Sequence, residues 1–162
     1  MPSLSNEWIQ RLGPAVFPFE RKQFRNQIAQ GEDIIFTDDI HMVSNSKKFK
    51  TITTPVATVL ADRPIQSKYL WIIDEQGLKL ILESTPNEYA DRGIVCHTNI
   101  TGGAKALQGG ELWFGDDKKV YINYKSGRYG AGIGKQAAPH KVAILEFFRS
   151  LNFDPIALDS GF

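Results

Sequence analysis

Four short groups of polar residues and glycines between residues 97 and 130 have side chains that could bind or cleave a nucleotide. His97, Thr98 and Asn99 form the first group, directly after the apolar residues 94–96. Imidazole, hydroxyl and amide groups at the end of a strand can hydrogen-bond to ribose hydroxyls, and an imidazole can also transfer protons. The alternative is that His97 only ends a strand and that Thr98 and Asn99 shape the turn.

The second and third groups are glycine pairs and a carboxylate. The pairs at 102–103 and 109–110 enclose a loop that carries Lys105, and Glu111 follows the second pair. Paired glycines let a backbone approach a ligand closely or present consecutive amides to an anion. The spacing does not match a Walker A loop or a dinucleotide-binding fingerprint. Glu111 could act as a general base or bind a ribose hydroxyl, or it could face solvent on an edge strand.

The fourth group spans residues 126–129 and offers a phosphate-binding cation beside an aromatic ring. Arg128 carries a planar guanidinium that suits a phosphate or carboxylate, Tyr129 an aromatic face and Ser126 a hydroxyl. The alternative is an ordinary exposed turn in which Arg128 pairs with a surface carboxylate.

The four groups are predicted to converge, because they lie close together in the sequence on adjacent strands. One group of residues is expected to act in catalysis and another to bind the substrate. The predicted catalytic residues are His97, Glu111 and Arg128, and the predicted binding residues are Thr98, Asn99, Ser126 and Tyr129.

Other reactive constellations are not supported by the sequence. His41, His97 and His140 lack the spacing of paired metal ligands, so we predict no metal site. Cys96 is the single cysteine and cannot form an internal disulfide, which indicates a reducing compartment. Because neighbouring residues on a strand point to opposite faces, we predict that Cys96 is a buried structural residue rather than a nucleophile paired with His97.

The elements that must position these groups are predicted strands between helical ends. Ser5 or Asn6 can cap a short helix that ends at Gly13, and a second helix is predicted over 19–30. An amphipathic helix is predicted at Ala138–Ser150. Strands are predicted at 33–36, 40–43, 50–60, 69–73, 78–82, 93–98, 111–114, 120–124 and 153–158. This order predicts an α+β fold with a mainly antiparallel sheet and with helices at the N-terminus and near the C-terminus.

The clearest predicted hairpin joins residues 69–73 to residues 78–82. Gly77, at the end of the intervening turn, can adopt the positive φ angle that such turns require. Both segments are almost continuously apolar, which predicts central strands that are covered on both faces.

Length, composition and charge limit the possible functions. The chain has 162 residues, which predicts a single domain over 1–162. Lys and Arg number 19 against 18 Asp and Glu, so no bulk basic field is available to bind DNA. No secretory signal is recognised and no segment approaches the roughly 20 apolar residues of a membrane span, so we expect a cytoplasmic protein without a membrane contact.

Residues 93–130 show two resemblances to known proteins in the order of their motifs. The succession His97-Thr98-Asn99, Gly109-Gly110-Glu111 and Ser126-Gly127-Arg128-Tyr129 resembles a pattern in C-terminal domains of bacterial polymorphic toxins and in plant calmodulin-binding IQ-motif proteins, which usually have Ser-Gly-His-Tyr at the last motif. The same residues more loosely resemble the catalytic core of ADP-ribosyltransferases of the poly(ADP-ribose) polymerase type. That resemblance implies a nicotinamide pocket, although Thr98 stands where that family has glycine.

The sequence leaves three functions open. The first is an enzyme that acts on a nucleotide-type substrate, above all NAD, by ADP-ribosyl transfer or glycosidic cleavage, without a required cofactor. In it His97 and Thr98 hold ribose, Tyr129 stacks on nicotinamide, Arg128 neutralises the pyrophosphate and Glu111 stabilises the oxocarbenium-like transition state. The second is a metal-independent ribonuclease of the toxin type. The third is a non-catalytic domain that binds a ligand or a protein target.

Overall fold

The structure is a computed structural model that describes most of the chain. The described residues are 4–21, 32–36, 40–45, 53–65, 67–84, 96–124, 126, 129 and 138–158. Four helices are present in this part, α1 (Asn6–Leu12), α2 (Val56–Asp62), α3 (Thr98–Thr101) and α4 (Ala138–Ser150). Eight strands accompany them, β1 (Phe19–Arg21), β2 (Glu32–Phe36), β3 (Ile40–Asn45), β4 (Lys68–Asp74), β5 (Gly77–Ser84), β6 (Gln108–Phe114), β7 (Val120–Ile122) and β8 (Pro155–Ala157).

A five-stranded sheet with the order β5-β4-β6-β7-β8 is the framework of the fold. Its neighbouring strands are antiparallel except for β7 and β8, which are parallel. The predicted hairpin is confirmed, and Gly77 has a φ angle of 122° at the start of β5. Together with α1 at the N-terminus and α4 near the C-terminus, this sheet confirms the predicted α+β class.

Strand β4 is central, as predicted, whereas β5 lies at the edge of the sheet in the described part of the chain. The prediction of a central position is therefore wrong for β5. Its apolar character has another cause, because Thr54 forms an isolated bridge with Leu80 and α2 packs against the strand.

Both faces of β4 are covered by apolar side chains. Trp71 points to the main core, where its ring meets Phe148 of α4 edge-on at 5.3 Å between centroids. Leu70 and Ile72 point to the other face and pack in a second cluster with Ile100 of α3. The alternation follows from the pleat of the strand, which sends successive side chains to opposite sides. Among the described helices, none has the length and the apolar sequence needed to cross a membrane.

Two segments near the N-terminal half differ from their predicted structure. Residues Phe19–Arg21 form β1, which pairs with β3, so the predicted helix over 19–30 is wrong at its start; residues 22–31 lie outside the described residues. The predicted strand over 50–60 is wrong from Val56 onward, where α2 begins directly after Pro55. The β-branched residues of this segment have a preference for strands. Tertiary packing partly offsets that preference, since Val59 is buried in the main core. Strands β2, β3, β6, β7 and β8 confirm predicted strands.

The predicted strand over 93–98 is corrected by the structure around His97. Residues 93–95 lie outside the described residues, whereas Thr98 begins α3 and His97 precedes it. The side chain of Asn99 accepts a hydrogen bond from the Cys96 amide at 3.0 Å, and this turn replaces an extended backbone. Cys96 is half-buried rather than fully buried, and it does not lie on a strand.

Candidate functional site

Glu83, Lys68, Glu111 and Asn123 form a cluster on one face of the five-stranded sheet, which we call the carboxylate cluster. Lys68 Nζ lies 2.8 Å from Oε2 of Glu111 and 4.0 Å from Oε2 of Glu83. The amide of Asn123 donates to Oε1 of Glu111 at 2.9 Å, and its oxygen accepts from the Glu111 backbone N–H at 2.9 Å. One lysine is thus shared between two carboxylates, of which Glu111 is the better satisfied.

A β-bulge gives Glu83 its position in the cluster. Tyr69 pairs with Leu82 and Lys68 pairs with Ser84, so Glu83 is an extra residue of β5 between the partners of two consecutive residues of β4. A bulge interrupts the regular alternation and can redirect a side chain. The irregularity therefore coincides with the residue whose carboxylate approaches Lys68.

The two carboxylates have opposite pKa shifts. Burial, reinforced by the neighbouring charge of Glu111, raises the pKa of Glu83 to about 7 despite the opposing effect of Lys68. Burial also acts to raise the pKa of Glu111, but hydrogen bonds from Lys68 and Asn123 outweigh it and hold this pKa below its ordinary value. Near neutral pH the pair consequently contains an ionised Glu111 and a Glu83 that is partly protonated.

One of the two carboxylate oxygens of Glu83 is buried. The side chain as a whole is 30% exposed, yet its Oε2 atom is buried and accepts no hydrogen bond from the described residues. A buried carboxylate oxygen without a donor favours the protonated form, in agreement with the raised pKa of this group. A hydrogen bond between the protonated Glu83 and the ionised Glu111 acts in the same direction, since it raises the pKa of Glu83 and lowers the pKa of Glu111.

The structure brings His97 and Ser126 to the same face of the sheet as Glu111. A side chain at Gly109 would meet Ser126 at 3.0 Å and the His97 ring at 3.3 Å, which places both residues over Gly109. Gly109 and Glu111 are two residues apart on β6 and share one face. His97 is itself buried, with Nε2 2.9 Å from the carbonyl oxygen of Gly110.

The predicted binding residues Thr98, Asn99 and Tyr129 lie in the protein interior. Thr98 and Tyr129 are fully buried and Asn99 is 4% exposed. The Tyr129 hydroxyl donates to the carbonyl oxygen of Ala104 at 2.7 Å and lies 2.7 Å from the hydroxyl of Thr101. Its ring belongs to the second apolar cluster, so protein side chains cover the surface that was expected to stack on nicotinamide.

Ser126 has a local role, and Arg128 lies outside the described residues. The buried Ser126 hydroxyl accepts a hydrogen bond from the Tyr129 amide at 3.0 Å, an arrangement that fixes the turn. The predicted role of Arg128 with a pyrophosphate therefore stays a prediction.

Sequence reasoning did not identify Glu83, Lys68 and Asn123. Lys68 and Glu83 lie just outside the predicted strands at 69–73 and 78–82, and Asn123 lies within the predicted strand at 120–124. Their proximity depends on the strand register, in which Leu70 of β4 pairs with Glu111 of β6 and Lys68 lies two residues before Leu70 on the same face. The bulge at Glu83 had no local signal.

A groove of about 370 Å³ lies at the other end of the β4–β5 hairpin. Its charged walls include Lys79, which forms a 2.6 Å ion pair with Asp74. The strand β4 runs from Lys68 to Asp74, so this groove is separated from the carboxylate cluster by the length of the strand.

No protein-family model, curated protein or solved structure matches this chain. Within the described ranges, no three His, Cys, Asp or Glu side chains are grouped to hold a metal ion. The carboxylate cluster is the group of described side chains from whose geometry and chemistry we infer a function.

Proposed function

We propose that the protein cleaves the N-glycosidic bond of a nucleotide-type substrate, with NAD as the substrate, at the carboxylate cluster. The observation that carries this proposal is the pairing of Glu111 with Glu83, one held ionised and the other with a pKa raised to about 7. Two carboxylates with separated pKa values can divide the proton-transfer and charge-stabilising roles that cleavage of a glycosidic bond requires.

In the proposed reaction, Glu111 stabilises positive charge and Glu83 accepts a proton. The bond between the ribose anomeric carbon and the pyridinium nitrogen breaks, and its electron pair goes to nitrogen, so nicotinamide leaves as a neutral molecule. The ionised Glu111 stabilises the positive charge that develops on the ribose. Water forms the new bond to the anomeric carbon, and its proton passes to Glu83 and then to solvent. The products are nicotinamide, ADP-ribose and one proton.

Lys68 and His97 are positioning residues in this scheme. Lys68 hydrogen-bonds to Glu111 and keeps it ionised without neutralising Glu83, which lies farther from the ammonium group. His97 contacts the backbone of Gly110, directly before Glu111, and so supports the strand that carries this carboxylate. ADP-ribosyl transfer needs the same bond cleavage, with the hydroxyl or amine of an acceptor in place of water.

The proposal is tested by incubating the full chain with NAD and measuring nicotinamide and ADP-ribose by chromatography. We expect Glu83→Gln and Glu111→Gln each to lower kcat/KM by about 100- to 10,000-fold, the range that a positioned acid–base group contributes. Glu146→Gln is the matched control, because Glu146 is an exposed residue of α4 that pairs with Arg11.

The pH profile gives a second readout of the same mechanism. Because Glu83 must be ionised to accept a proton from water, kcat/KM should rise with pH, reach half of its plateau near pH 7 and level off above it, and Glu83→Gln should remove this rise. Absence of NAD cleavage would overturn the proposal. Cleavage of a short single-stranded RNA would then support the ribonuclease alternative, and inactivity on both substrates the non-catalytic one.

A further inference from the structure

We infer that Trp113 and Tyr121 form the subsite that binds the nicotinamide ring of NAD. This inference rests on the proposed function and extends it to the recognition of the leaving group. The sequence predicted that Tyr129 stacks on nicotinamide, but Tyr129 is buried. Trp113 and Tyr121 are a paired set of aromatic residues on the same face of the sheet as the carboxylate cluster.

The two rings are paired across neighbouring strands. Trp113 of β6 lies opposite Tyr121 of β7 in the antiparallel register. Their centroids are 6.4 Å apart and their planes differ by 14°, so the rings are nearly parallel. Both residues are half-buried, in contrast to the fully covered ring of Tyr129. Tyr121, beside Trp113, therefore keeps part of its ring surface exposed and offers it to a planar ligand.

The aromatic pair lies next to the carboxylates. Trp113 is two residues beyond Glu111 on β6, and Tyr121 is two residues before Asn123 in the chain. Residues two apart on a strand share a face and are about 7 Å apart along it. A nucleoside can span such a distance, with its ribose at the carboxylates and its planar base on the aromatic rings.

The Tyr121 ring is held in place before any ligand binds. Its hydroxyl donates to Oδ2 of Asp117 at 2.7 Å. Gly115 leaves room for the ring, since a Cβ there would lie 2.6 Å from Cε2 of Tyr121. A ring fixed by a hydrogen bond and a close backbone contact loses little conformational entropy when a ligand stacks on it.

The charge of the nicotinamide ring fits this subsite. The pyridinium ring of NAD is a cation, and aromatic faces, above all that of tryptophan, attract cations. The ionised Glu111 adds a negative charge nearby. When the glycosidic bond breaks, nicotinamide becomes neutral and loses this attraction, which favours its release.

The inference is tested by calorimetric titration of the full chain with NAD and, separately, with ADP-ribose, which lacks the nicotinamide ring. The titrations use the Glu83→Gln background, which slows the consumption of NAD and keeps the Glu111 carboxylate. We expect Tyr121→Ala to weaken NAD binding by about 5- to 30-fold, as the loss of a cation–π contact would. ADP-ribose binding should change by less than about twofold. Tyr121→Phe keeps the ring and should bind NAD nearly as well as the parent.

Trp8→Leu is the control for a general loss of aromatic packing, because Trp8 packs edge-on against Phe147 at the opposite face of the sheet. Circular dichroism of each variant verifies its fold. Unchanged NAD affinity in Tyr121→Ala, or an equal loss for NAD and ADP-ribose, would overturn the inference while leaving NAD cleavage intact. Failure of the parent to cleave NAD would instead count against the proposed function.

Discussion

The Nε2 atom of His97 lies 2.9 Å from the carbonyl oxygen of Gly110, and both residues are buried. A carbonyl oxygen can only accept, so Nε2 carries the hydrogen of this contact. The histidine that the sequence suggested as a catalytic group therefore joins the loop before α3 to strand β6. Its position over Gly109 also limits what can fit at that point of the strand.

His97→Ala should destabilise the fold because it leaves the buried carbonyl oxygen of Gly110 without this donor. We expect a loss of about 1–3 kcal/mol in the free energy of unfolding, measured by urea denaturation. His140→Ala is the matched control, since Nδ1 of His140 makes no hydrogen bond with the described residues. Equal stability of His97→Ala and the parent would show that the contact contributes nothing to folding.

Tyr129→Phe should destabilise the second apolar cluster although it preserves the ring. The substitution removes a hydroxyl that donates to Ala104 and contacts the hydroxyl of Thr101. The expected loss is about 0.5–1.5 kcal/mol, because the carbonyl oxygen of Ala104 and the hydroxyl of Thr101, both in part-buried contacts, lose a hydrogen-bond partner. Thermal unfolding checks this, with Tyr121→Phe as a control whose hydroxyl is at the surface. A smaller effect for Tyr129→Phe than for the control would contradict the burial of its hydroxyl.

Gly110→Ala should be the more disruptive of two neighbouring glycine substitutions. A methyl group at Gly110 would meet the backbone oxygen of Asn123 and lie 2.6 Å from the Trp71 ring, whereas one at Gly109 would lie 3.0 Å from Ser126. Overpacking against backbone and a buried indole should cost about 1–3 kcal/mol or more, and Gly109→Ala should cost less because its contacts, at 3.0 Å to Ser126 and 3.3 Å to His97, are longer than those at Gly110. Denaturant unfolding of both variants compares them, and the reverse order would be inconsistent with this packing.

The pH dependence of stability should reveal the raised pKa of Glu83. Its pKa rises from 4.5 to about 7 on folding, so between these values the folded protein keeps a proton that the unfolded chain has released. The contribution of Glu83 is therefore fully present below pH 4.5 and is lost as pH rises through 7. Glu111 has the opposite sign, because its lowered pKa stabilises the fold above its unfolded value.

Glu83→Gln replaces the protonated acid with a neutral amide and should abolish its part of this decline. We expect the loss of stability between pH 5 and pH 8 to shrink by about 1–3 kcal/mol relative to the parent, measured by chemical denaturation at several pH values. Glu146→Gln, on the exposed side of α4, should keep the parent's profile. The same decline in Glu83→Gln and in the parent would argue against a protonated Glu83.

The sequence by itself determined the elements that have strong local signals. The hairpin β4–β5 follows from two apolar runs joined by a turn that ends in Gly77, and α4 follows from its amphipathic period. The capped helix α1 was also predictable, since the Ser5 hydroxyl accepts a hydrogen bond from the Trp8 amide. These signals act within a few residues and need no distant partner.

Only the tertiary structure decided the short elements and the composition of the candidate site. The three residues of β1 extend because β3 pairs with them, and α2 forms where Val59 can enter the main core. The glycine-rich sequence around Tyr129 predicts an exposed aromatic ring. In the structure, packing in one cluster with Ile100 buries it. The carboxylate cluster depends on strand register and on the bulge at Glu83, which join residues from three strands and the segment after β7. Such long-range pairing has no local pattern, because the energy that selects it comes from contacts between residues far apart in the chain.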